Sequence, residues 1–162
     1  MMRAATIRVA ALVLAVTAGL GGTIAQSVQP TIEQLAELRA RLAAFEDVAA
    51  AEATGYEPFG TCMSGPQVAQ GLHYRAVDAI GDPGLDPLEP GLLMYEARQD
   101  GSLRLIGAAY IVFQDAWHGA GNEAAPSLLG REFSLNTTLL DEPFYAVHVW
   151  AWHYNPLGLF AN

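Results

Sequence analysis

His73 and His148, with the adjacent Cys62 and Met63, are the side chains of this sequence best suited to soft-metal chemistry. Imidazole nitrogen combined with thiolate or thioether sulfur suits copper, and His with Cys also suits zinc. The spacing is loose, because Cys62 and His148 are 86 positions apart, whereas blue-copper ligands cluster near one loop. The competing reading places each imidazole against a backbone carbonyl or carboxylate inside an aromatic-rich core. Trp150 and Trp152 follow His148 at period two, and Tyr74 follows His73 directly. These aromatics mark a candidate sheet face for binding a small-molecule or protein partner.

Two other constellations are weaker. Asp78, Asp82, Asp86 and Glu89 form an acid run of the kind calcium favours, but their steps of four, four and three do not follow the alternate positions of an EF-hand loop. Pro83, Pro87 and Pro90 stiffen the same stretch, so it reads as a solvated loop. Ser64, Ser127 and Cys62 are possible nucleophiles, and none sits in Gly-x-Ser-x-Gly or another strained elbow. No catalytic residue is assigned, and the function reads as more binding than enzymatic.

Residues 1–25 set the address. Arg3 and Arg8 precede an apolar run from Val9 to Ala18, and a small-residue stretch ends at Ala25. That is the layout of a secretory signal peptide, with Thr23 and Ala25 fitting the signal peptidase pockets. A membrane span needs about 20 apolar residues, and Thr17, Gly19, Gly21 and Gly22 interrupt this run early. Cleavage predicts an exported chain, periplasmic or extracellular, with no stable membrane insertion. Residues 26–162 then form a single globular domain. Removing the leader takes two of the eight arginines and no acid, so the net charge moves from −9 to −11. Such a chain repels phosphate backbones and anionic headgroups, which argues against nucleic acid as a partner.

The elements that must position the candidate residues follow from periodicity. Thr31 and Gln34 form a capping box, and Ile32, Leu35, Leu38, Leu42, Phe45 and Val48 recur at helical steps. One amphipathic helix is therefore predicted from Thr31 to about Ala53, with Glu37 and Arg41 paired on its outer side. Gly71 to Val77 alternates as a strand. Residues 81–91 read as an irregular loop. Leu92–Gln99 and Ser102–Phe113 flank Asp100-Gly101, a hairpin signal, and the second run is apolar on both faces from Ile106, as a central strand would be. Residues 114–130 read as a long loop exposing Trp117 and His118, and 143–153 as a last strand before an Asn155-Pro156-Leu157-Gly158 turn. The predicted fold is α+β, one N-terminal helix packed on a mainly antiparallel β-sheet.

An exported chain with a single cysteine leaves Cys62 three roles: a small buried hydrophobe, a soft ligand, or half of a bridge to a partner beyond Asn162. Several segments resemble a group of uncharacterised exported bacterial proteins. They are AAEATGYEPFGTCM at 50–63, QGLHYRAV at 70–77, LDPLEPGLLMYE at 85–96, LRLIGAAYIV at 103–112, PSLLGREF at 126–133 and HVWAWHYNPLGLF at 148–160. The resemblance brings no activity. It does imply that the chain continues to a second Asn-Pro and a terminal cysteine that would pair with Cys62, so that 26–162 would be a C-terminally truncated domain. Those proteins tend to carry Glu where Ala109 stands here, so any site using that carboxylate is weakened. Composition, spacing and resemblance together predict a small exported binding module, with a periplasmic copper or zinc protein as the alternative.

Overall fold

The computed structural model describes residues 30–64 and 69–161. The predicted signal peptide lies outside the described residues. The fold is α+β, with a six-stranded antiparallel sheet and a few short helices. No helix among the described residues is long and apolar enough to cross a membrane.

The helical segment begins where its sequence says. Thr31 Oγ1 accepts from the Gln34 amide at 3.1 Å, and Gln34 Oε1 accepts from the Thr31 amide at 2.9 Å. This reciprocal cap satisfies two otherwise unpaired donors, so Thr31→Ala should lower stability by about 1 kcal/mol, measured as a shift in the urea midpoint. The single predicted helix is instead three pieces: α1 (Ile32–Leu42), a 3-10 turn (Ala43–Glu46) and α2 (Val48–Ala53). Asp47 causes the interruption. Its backbone is extended, and its carboxylate caps a new start by accepting from the Ala49 amide at 3.0 Å. The break frees the Phe45 carbonyl, which accepts a hydrogen bond from the Tyr95 hydroxyl at 2.7 Å. Leu38, Leu42 and Ala51 are buried, Leu35, Phe45 and Val48 pack partly beneath, and Ile32 is exposed. Arg41 pairs with Glu89 at 3.2 Å, a contact across the fold that the predicted pairing with Glu37 does not anticipate.

The sheet runs β1 (Tyr56–Ser64), β2 (Ala69–Ala76), β3 (Leu92–Ala97), β4 (Leu103–Phe113), β8 (Phe144–Val149) and β7 (Ser134–Asn136) across its width. A separate ladder joins β5 (Ser127–Leu128) to β6 (Arg131–Glu132). β4 is buried from Leu105 to Val112 and lies between β3 and β8, as its two-faced apolarity predicts. The β3–β4 hairpin closes one residue wider than the predicted link. Gly101 donates to the Arg98 carbonyl at 3.0 Å, and Gly101 adopts φ +82°, a conformation that disfavours any side chain. β1 is a strand where none is predicted, because Pro58, Gly60 and Thr61 interrupt any alternation. The predicted loop 114–130 contains α3 (Gln114–Gly119) and the small ladder.

The two sheet faces are different environments. One carries Tyr74, Leu93, Tyr95, Tyr110, Tyr145, Val147 and Val149 beneath the helical layer. Its tyrosines are anchored: Tyr56, Tyr95 and Tyr110 donate to the carbonyls of Pro90, Phe45 and Pro87 at 2.7, 2.7 and 2.6 Å. Burial raises all three phenols, Tyr56 to about 12. The other face gathers Leu92, Met94, Ile106, Ala109, Ile111, Phe144 and Trp150. None of the helices among the described residues packs over it.

Candidate functional site

This second face contains His73 and His148. Alternation on β2 points His73 away from its neighbour Tyr74, and alternation on β8 sends Phe144, Ala146 and His148 the same way. In the ladder His73 pairs with Met94 on β3, and His148 pairs with Ala109 on β4. Two strands separate β2 from β8, so side chains standing on a flat sheet would be about 14 Å apart. Their ring centroids are 5.7 Å apart, at an interplanar angle of 75°. The face is therefore concave. Register shifts between Phe59 and Met63 and between Met94 and Tyr95 supply the bending. At the second shift sits Gly107, where a Cβ would meet the Val149 carbonyl oxygen at 2.7 Å. A side chain there would force the strands apart.

The concavity forms a cleft of about 160 Å³. Leu92, Ala109 and Ile111 form its floor, Phe59 and Gln70 one side, and Phe144, Leu135 and Leu139 the other. Ser134 and Asn136 on β7 add polar atoms at the rim. His73 is only 2% exposed, and among the described residues neither of its ring nitrogens has a partner in hydrogen-bond geometry. Burial pushes its imidazole down to about 4, the charge of a protonated His148 adds to this, and a contact with the Gly71 backbone, too poorly aligned to count as a hydrogen bond, opposes it. At neutral pH His73 is an uncharged ring with both hydrogen-bonding atoms held in an apolar wall. Ala109 has no exposed surface and lies directly beside His148, so its methyl keeps the floor apolar where a carboxylate would face both imidazoles.

The remaining predicted site residues lie elsewhere. Cys62 is exposed and lines a second cleft with Leu72, Trp150, Tyr154, Asn155 and Pro156. The Asn155–Gly158 turn forms, Gly158 donating to the Asn155 carbonyl at 2.9 Å, and it stands beside Cys62 in that cleft. Met63 pairs with Gly71 in the ladder; its side chain is outside the described residues. Among the described residues no group of three or more His, Cys, Asp or Glu gathers to hold a metal ion. The three aromatic candidates divide between the faces. Tyr74 lies under the helical layer, edge-on to Tyr95 at 5.1 Å, and Trp152 packs against that same cluster. Trp150 lies on the concave face, its indole donating to the Ala161 carbonyl at 2.8 Å. The strand predicted over 143–153 ends at Val149 because the Trp150 amide turns to the Leu159 carbonyl.

Other polar candidates have structural duties. Asp82 and Asp86 accept from the amides of Gly84 and Leu88 at 2.8 and 2.7 Å, shaping the 81–91 loop. Ser127 lies in the small surface ladder. Trp117 is half-buried against the core rather than exposed, its indole donating to the Ala124 carbonyl at 2.7 Å. His118 contacts the Asn122 carbonyl and the Tyr145 hydroxyl at 2.7 and 3.1 Å. The cleft residues that sequence reasoning passes over are Phe59, Leu92, Ile111, Phe144 and Leu139. The alternation of Phe144, Ala146 and His148 carries a signal for part of this wall; nothing local marks the rest.

Comparison with protein-family models, with curated proteins and with solved structures finds no match for this chain. Any function must be argued from the cleft itself.

Proposed function

We propose that this protein is an exported binding module that holds a small, largely apolar molecule in the His73–His148 cleft. The observation that supports this reading is the pairing of an apolar concavity of about 160 Å³ with a buried imidazole whose nitrogens have no partner in hydrogen-bond geometry among the described residues. Native proteins seldom leave buried polar atoms unpaired, and such groups call for an explanation. A ligand with an apolar body and one polar atom supplies it. Among the described residues the helical layer packs on the opposite face and none of it on the concave one.

The volume gives the size of the part the cleft can hold, about one benzene ring, the content of a closed cavity of about 150 Å³. Toluene is the simplest probe. At a hundredfold excess over its dissociation constant it should stabilise the fold by about 2.7 kcal/mol, read as a rise in Tm. Absence of any shift across the soluble range of toluene would overturn the reading.

A second reading, copper or zinc held between His73 and His148, draws on their 5.7 Å approach. It is the less economical one, because zinc and copper sites take three or four protein ligands, and among the described residues no Cys, Asp or Glu lines this cleft. Stabilisation by either metal, with none by toluene, would reverse the order of the two readings.

Export is part of the proposal and rests on the charge and apolar length of residues 1–25. Mass spectrometry of protein recovered from the periplasm or medium should give an N-terminus at or within a few residues of Gln26. The intact chain in the cytoplasmic fraction would contradict it.

A further inference from the structure

We infer that the cleft selects an uncharged phenol, a single apolar ring whose one hydroxyl lies against His73. This inference rests on the reading of the cleft as a ligand site and specifies the ligand's headgroup.

Three features of the cleft point to that chemistry. The first is the shape and nature of its walls: Phe59 and Phe144 face the space with Leu92 and Ile111, so a flat ring gains edge-to-face and offset contacts that an aliphatic body would not. The second is His73, 2% exposed and lining the cleft, with both ring nitrogens unpaired among the described residues and enclosed by the wall. A half-turn of the ring about χ2 exchanges its carbon and nitrogen positions, and that turn is what brings a nitrogen to the ligand. A neutral imidazole offers one N–H donor and one lone pair, and a hydroxyl can donate to the lone pair or accept from the N–H. A phenolic O–H is more acidic than an alcohol's, hence the better donor to an imidazole nitrogen.

Charge is the third. Among the described residues His73 and His148 are the titratable groups lining the cleft. The cation at its margin, Arg75, stacks 5.3 Å from the Phe59 ring and is already held by Glu57 at 2.6 Å. A carboxylate would therefore have to compete with Glu57 for Arg75 or wait for an imidazole to take up a proton, and burial beside a second histidine opposes that uptake. An ammonium group would find no carboxylate. A carboxylate must also approach a chain of net charge −9. An uncharged hydroxyl satisfies His73 without requiring a new charge in an apolar wall, and it can meet either ring nitrogen, as donor or as acceptor.

Toluene, p-cresol and p-toluate differ only in the headgroup, and together they test the inference on the whole protein at pH 7.5. Binding is followed by NMR with 15N-labelled histidine. p-Cresol should bind at least about tenfold more tightly than toluene and than p-toluate, and it should move the His73 ring nitrogen resonances while toluene leaves them near their free positions. His73→Leu should bring p-cresol down to the affinity of toluene. Equal affinities for p-cresol and toluene on the native protein would overturn the hydroxyl while leaving the cleft a ligand site. Tightest binding by p-toluate would overturn the uncharged headgroup. Binding by none of the three would overturn both. The His73 resonances are read on the native protein, so the inference stays open to refutation even if His73→Leu does not fold.

Discussion

Acidification from pH 6.5 to 4 should cost the protein roughly 3 kcal/mol through His73 alone. In the folded protein burial holds this imidazole at about 4, against an ordinary value of 6.5. Between those values the unfolded chain binds a proton at His73 that the folded chain refuses. Stability at this site therefore rises with pH across that window and is flat above it. His148 is the other titratable group in the same cleft wall and is only half-buried. Urea unfolding of the native protein and of His73→Leu at pH 7 and pH 4.5 isolates the term. The acid-induced loss shared by both proteins belongs to the carboxylates and the other histidines, and the extra loss in the native protein belongs to His73. Parallel profiles would show that His73 titrates like a solvated imidazole and that the cleft is wet.

Leu42→Ala should destabilise the fold by about 2 to 5 kcal/mol, the range for a buried leucine. Leu42 is 2% exposed and is the last residue of α1, immediately before the turn that presents the Phe45 carbonyl to Tyr95. Its removal opens a gap beneath the helical layer and loosens the register of that hydrogen bond. Partial collapse of Phe45 and Leu35 into the space would set the cost near the lower bound. A midpoint shift worth less than about 0.5 kcal/mol, the size of an ordinary surface substitution, would show that the helical layer contributes little to the core.

The helix start and the central strand were legible because their signals are local. Thr31 and Gln34 cap within one turn, and β4 is apolar on both faces without interruption. The helix break was not legible, because Asp47 fits a helix surface as readily as it caps a new start, and the choice depends on where Tyr95 needs an acceptor. β1 escaped notice for a related reason. As the edge strand it needs only one partner, so Pro58 and Gly60 are tolerated where a central strand would exclude them.

The candidate site was legible in its residues and not in its geometry. His73 and His148 stand out by type, yet their approach depends on two register shifts and on the absence of a side chain at Gly107. Periodicity also misplaced the aromatics. Tyr74 on β2 and the Trp150 and Trp152 that follow β8 read alike as strand aromatics, and only the packing shows that Tyr74 and Trp152 belong to the helix-covered side while Trp150 faces the cleft side. Ala109 became informative once the fold set it beside His148, where its methyl and not a carboxylate faces the space.

The most direct measurement is a crystal of the protein soaked in 4-bromotoluene and recorded at the bromine edge. An anomalous peak among His73, Leu92, Ile111 and Phe144 is the predicted result. A cleft without bromine, or bromine confined to other surfaces of the molecule, would contradict the assignment of this cleft as the ligand site.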